Sequence, residues 1–460
     1  MALFIGLGIA DHVIKMRDGP VFAPPSATLV CFTPDAAALM GRLCDNKNVQ
    51  DAARAALTRR ETPFEIYAPL RSSAELVTVL TGMRATAGGW RFWMGQTRLA
   101  VVYGDSTWGV CTRPGLFLRI SEWFRRDAMD GKQTVFKAGE LYYGWREGAL
   151  FYSPDRSFAA SFVDAPEVKL DACESARRLL AIELRRPVEC RLCVEDTPGL
   201  PVRGRIAWSG LHPDDGGLRL AEPWPDTPLV SVSASSVANL SAVLATCWNA
   251  FESTAVYDTI ERAISFIPPQ DRFAVPRLDL DGTLESAVAV MDVDTTQTLP
   301  VPLLAFALLD EQNGGGDRHP LEPLTGLGPT MPFEWNGRAG TITSVSGEKA
   351  TLCLTRSGGY WLATSQEPLM AQLAGGLRDT QPIEADLAVR LDWERFSEVA
   401  RTLVERLAGF ELIPRMNVDD VRECLAPAIE SARGLGELRL IGRCEDGAVV
   451  LEGEISRRKK

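Results

Sequence analysis

Four kinds of side chain in this sequence could do chemistry by type and spacing: a close pair of carboxylates, a close pair of thiols, three imidazoles and a few hydroxyls at strand ends. The carboxylates are Asp279 and Asp281, in Leu278-Asp279-Leu280-Asp281-Gly282-Thr283-Leu284. The thiols are Cys190 and Cys193. A single Cys-x-x-Cys lacks the second ligand pair that a structural zinc site needs. Val188-Glu189-Cys190-Arg191-Leu192-Cys193-Val194 also reads as a strand, which puts residues three apart on opposite faces, so ordinary half-buried cysteines are expected. His12, His212 and His319 are remote from one another, and none is flanked by a nucleophile elbow or an oxyanion-type glycine pattern. Ser153 and Thr364 each end an apolar strand just before a helical pattern. Thr364-Ser-Gln-Glu367 fits a capping box, so these hydroxyls are expected to satisfy helix-end amides. Neither a Gly-x-Gly-x-x-Gly nor a phosphate-loop Gly-Lys-Ser/Thr occurs. These residues imply no bound cofactor and no metal.

The segment around the two carboxylates is similar to the Asp-x-Asp-Gly-Thr signature of the haloacid dehalogenase superfamily. That resemblance implies a magnesium-dependent phosphohydrolase with Asp279 as nucleophile and Asp281 as general acid/base. Thr364 or Ser365 would stand for the second motif and Asp419-Asp420 for the acidic pair. The resemblance covers seven of 460 residues. The family's apolar strand is replaced here by Val275-Pro276-Arg277-Leu278, where a proline cannot donate to a central ladder. A phosphotransfer site also needs a cation against the transferred group, and no distinctive Lys or Arg context marks one. A competing reading makes Asp281-Gly282 a hairpin turn, since Asp-Gly accepts the positive φ that a tight turn requires.

The elements that would position these groups follow from composition and pattern. With 46% apolar and 24% charged residues over 460 positions, the chain is globular and long enough for two or three cores. Lys and Arg number 49 against 60 Asp and Glu, a net charge of -11 that repels phosphate backbones, so no nucleic-acid partner is expected. No run of eighteen apolar residues marks a transmembrane span. The opening Leu3-Phe4-Ile5-Gly6-Leu7-Gly8-Ile9 reads as a buried strand or the remnant of an anchor, without the basic flank of a signal peptide. Ten scattered cysteines fall well short of a disulfide scaffold.

Three segments share one plan, a short apolar strand leading into an amphipathic helix: Ala27 to Asp35, Thr227 to Ser233 and Ala385 to Asp392. Asp35, Ser235 and Asp392 are the residue types that cap helix starts. A two-strand signature follows each opener, turning at Gly88-Gly89, Asp281-Gly282 and Asp446-Gly447, at offsets of 61, 54 and 61 residues. A second element recurs as Gly148 to Ser153 and Gly359 to Thr364. The expected fold is α+β: tandem strand-helix-hairpin units forming mainly antiparallel sheets with helices on one face. Its expected divisions are an N-terminal segment 1–21, unit one over 22–170, a connecting helix and hairpin over 171–222, unit two over 223–380, and a partial third unit over 381–460. The connecting helix is placed at Ala172 to Leu184, with Ala176, Leu179, Leu180 and Ile182 on its apolar side.

Leu229-Val230-Ser231-Val232, Asp386-Leu387-Ala388-Val389 and Tyr360-Trp361-Leu362-Ala363-Thr364 give the chain a layout that resembles uncharacterised bacterial repeat proteins, often extracytoplasmic. The resemblance implies a compartment and carries no site residues. The resulting expectation is a non-enzymatic binding or scaffolding protein, with a protein or cell-envelope component as partner and an extracytoplasmic place preferred to the cytoplasm. The alternatives are the phosphohydrolase above and an apolar-ligand carrier suggested by the aromatic content. Trp90, Trp93, Trp224, Trp335 and Trp361 could line a binding face or fill strand ends and core.

Overall fold

The computed structural model describes residues 19–36, 98–113 (except 105–106), 135–168 (except 139–140), 178–208 (except 187, 188, 196 and 198), 211, 218, 228–252, 286–296, 301–309, 330–357 (except 336, 337 and 346–349), 359–376, 384–411, 417–422 and 426–456 (except 434 and 446). The chain forms two compact units. One holds residues 1–205 with 419–431, the other residues 206–418 with 432–460.

In the first unit the strands are β1 (Leu29–Thr33), β2 (Leu99–Tyr103), β3 (Trp108–Thr112), β4 (Phe136–Ala138), β5 (Leu141–Arg146), β6 (Ala149–Ser153), β7 (Arg178–Leu184) and β8 (Cys190–Glu195). They pair antiparallel in the order β4-β5-β6-β3-β2-β1-β7-β8. β9 (Pro201–Ala207) follows. The helix α1 (Arg156–Ser161) turns back over the sheet directly after β6.

Register fixes which side chains share a face. Phe151, Cys111, Ala100, Phe32, Ala181 and Cys193 stand opposite one another across β6, β3, β2, β1, β7 and β8. All six are buried in one core. Phe162, at the end of α1, stacks on Phe151 at 5.4 Å and meets Phe158 edge-on at 5.8 Å. Gly109 makes room for this helix, because a Cβ there would lie 2.7 Å from the Phe162 ring.

The segment before β1 is drawn into the same core: Val21, Phe22 and Ala23 are buried. Arginines hold it by its carbonyls, Arg113 donating to Pro20 O at 3.4 Å and Arg185 to Pro24 O at 2.8 Å. The Arg146 guanidinium lies 4.2 Å over the Phe22 ring. The expected strand or anchor remnant at Leu3 to Ile9 lies outside the described residues.

The expected helix over Ala172 to Leu184 is corrected in its second half, because residues 178–184 form β7. Leu179-Leu180-Ala181-Ile182 suits either structure by propensity. Two partners decide it: β7 is hydrogen-bonded to β1 on one side and β8 on the other, and tertiary pairing outweighs a weak local preference.

The second unit contains β10 (Val230–Ala234), α2 (Val237–Glu252), β11 (Ser286–Asp294), β12 (Val301–Leu309), β13 (Thr330–Trp335), β14 (Arg338–Val345), β15 (Ala350–Ser357), β16 (Tyr360–Thr364), α3 (Glu367–Gly376), β17 (Leu387–Asp392), α4 (Trp393–Gly409), β18 (Glu437–Glu445) and β19 (Ala448–Ser456). Its antiparallel order is β13-β14-β15-β16-β12-β11-β10-β17-β18-β19. Met370 and Leu373 of α3 pack on Val290, Ala305, Ala307, Cys353 and Leu362. Pro332 sits in β13, the outermost strand of this sheet among the described residues. A proline is tolerated there because its missing N–H is not needed by the ladder. The class is therefore α+β, with mainly antiparallel sheet.

Candidate functional site

Asp279, Asp281 and Gly282 lie outside the described residues, as do Gly88-Gly89, His12, His212, His319, Trp90, Trp93 and Trp224. Trp361 is buried in β16, with the Arg356 guanidinium 4.7 Å over its ring.

The strand-end hydroxyls are structural. Ser153 Oγ donates to the Trp108 carbonyl at 2.6 Å and accepts from the Asp155 N–H at 3.1 Å. Asp155, not Ser153, caps α1 by accepting from the Phe158 N–H at 2.7 Å. Its carboxyl is held below the usual range by the Ser157 hydroxyl first and then by that amide. Thr33-Pro34-Asp35 repeats the arrangement, with Thr33 Oγ1 donating to Leu179 O at 2.7 Å and accepting from the Asp35 N–H at 3.3 Å. The Thr364 hydroxyl donates to Gln366 O at 2.8 Å, and α3 begins only at Glu367, so Thr364 stands in the turn before the helix rather than at the expected cap position. Ser365 Oγ instead accepts from the Leu304 N–H at 3.0 Å. Among the expected caps Asp392 holds, accepting from the amides of Glu394 and Arg395. Before α2 the cap is Ser236, while buried Ser235 accepts from the Asn239 side-chain amide.

Cys190 and Cys193 lie in strand β8, one half-buried and the other in the core. Cys190 is free, and burial pushes its thiol up to about 11. Cys193 is disulfide-bonded, which the expectation of two ordinary cysteines did not foresee. Burial likewise raises Cys31 to about 11 and Cys111 to about 12, so neither supplies a thiolate near neutral pH.

Two features were not legible as sites in the sequence. The first is a buried glutamate between two arginines, present once in each sheet on the helix-bearing face. In the first unit Glu183, in register with core residue Val30, takes Arg185 at 3.3 Å and Arg191 at 3.5 Å. In the second, Glu437 takes Arg439 at 2.8 Å and also pairs with Arg390, which stands opposite Arg439. Burial pushes the Glu437 carboxyl up, but hydrogen bonds and charge from Arg439 and Arg390 outweigh it and hold it below its ordinary value. In the first network Glu189 also takes Arg191, at 3.1 Å. In both, a buried carboxylate is tied to an arginine of the neighbouring strand, which suits locking adjacent strands together more than proton transfer.

The second feature lies on the opposite face of the second sheet. Leu304, Met291, Val230, Leu391, Leu438 and Ile455 stand in direct register across β12, β11, β10, β17, β18 and β19. None of the six is fully buried, and Met291 is 41% exposed. The signal for such a row would have been strands apolar on both faces, as Val301 to Leu309 is. Ala234, Ala289 and Leu308 on the same face are buried, so the row is the less covered part of a partly covered face, a division that pattern alone cannot locate. Among the described residues, all six large apolar side chains that are exposed (Met291, Met331, Phe396, Phe410, Leu435 and Ile441) belong to the second unit.

No protein-family model, no curated protein and no solved structure matches the chain.

Proposed function

We propose that the protein is a non-enzymatic binding or scaffolding protein, associated with the bacterial cell envelope, and that its second unit presents the binding surface. The observation that carries this reading is that the exposed large apolar side chains among the described residues all lie in that unit, with Met291 set in a row of half-buried apolar residues from Leu304 to Ile455. Exposed apolar area collected in one region marks interaction sites rather than ordinary surface. The partner is a protein or envelope component that offers apolar surface in return.

The reading includes an internal repeat, with its phase revised. In each unit the opener strand sits in the middle of its sheet, β1 between β2 and β7 and β10 between β11 and β17. β7 and β8, in the segment taken as a connector, occupy the places that β17 and β18 hold in the other sheet. Two copies, near 22–208 and 223–456, account for these pairings better than two units, a connector and a partial third. Gly148 and Gly359, with φ of 78° and 82°, open the equivalent β6 and β16. The disulfide at Cys193 favours an oxidising compartment outside the cytoplasm.

The test uses the dye bis-ANS on the full chain. Native protein should enhance its fluorescence, and Met291→Lys combined with Met331→Lys and Phe410→Lys should remove most of that signal without changing the circular dichroism. Magnesium-dependent hydrolysis of a phosphate ester, abolished by Asp279→Asn, would overturn the reading in favour of the phosphohydrolase. Thiol titration in denaturant checks the compartment argument: of the ten cysteines, at least two should react only after a reductant is added.

A further inference from the structure

We draw no further inference here: the strongest candidate, the apolar row from Leu304 to Ile455 across the second sheet, belongs to the surface already described, and nothing in the structure shows what covers it.

Discussion

The first unit closes its helix-bearing face with apolar side chains from β6 to β8, and the second does not. In the first, the row from Phe151 to Cys193 is buried throughout. In the second, the row that starts at buried Leu362 and Ala307 passes by way of β11 to Ser233, half-buried Ala388 and exposed Ile441. The links beyond the central strand differ too. β7 reaches β8 through residues 185–189, whereas β17 leads into the long helix α4 before the chain returns as β18. A common ladder therefore fixes strand order but not surface character. The side chains laid on it decide whether a face becomes core or remains available.

The largest effect that would test this contrast comes from the two helix seats. Phe151→Ala removes a fully buried ring stacked on Phe162 and should cost about 3–5 kcal/mol, while Leu362→Ala should cost about 2–5 kcal/mol. Hydrogen exchange should accelerate in the first unit for Phe151→Ala and in the second for Leu362→Ala. Equal acceleration in both units under either change would break the division into separate cores.

The buried glutamates come next. Glu437→Gln leaves Arg390 and Arg439 without their shared carboxylate and should cost about 2 kcal/mol by urea titration, with Glu183→Gln comparable. Because the folded Glu437 titrates below its ordinary 4.5, its contribution is present above that pH and is lost as pH falls through the folded value. Wild type should therefore lose stability on acidification more steeply than Glu437→Gln. Parallel pH profiles would show that the arginines do not favour the charged form.

The smallest effect sharpens the likeness rather than the difference. Gly148→Ala and Gly359→Ala each force a Cβ into positive φ and should each lower stability by about 1 kcal/mol, measured by thermal melting. A large cost at one and none at the other would argue against equivalent β6 and β16 turns.

Local chemistry made part of this legible in advance. Strands such as Leu229 to Val232 and Tyr360 to Thr364 alternate clearly, and the residue types at Asp392 and Gly447 are dictated by a helix start and a positive φ of 76°. Residues 178–184 were misread because Leu, Ala and Ile satisfy helix and strand periods over so short a run, and only neighbouring strands choose between them. Ala385 to Asp392 is legible as a strand leading into a helix because that spacing is local information. Its antiparallel pairing with β10 is not local and could not be read in advance. The pairing of Arg390 with Glu437 escaped for the same reason: the two are 47 residues apart and meet only through the register of β17 and β18.

Pro332 has a consequence for behaviour at high concentration. A molecule that leaves apolar side chains uncovered is exposed to runaway cross-β growth, in which a loose segment from a neighbouring chain adds to the end of a sheet and recruits the next. At β13 such a recruit would find a backbone nitrogen with no hydrogen to share, and the zipper would stall at that rung. The proline thus denies fibres a template at that end of the described sheet, although apolar side chains stay exposed in the same unit.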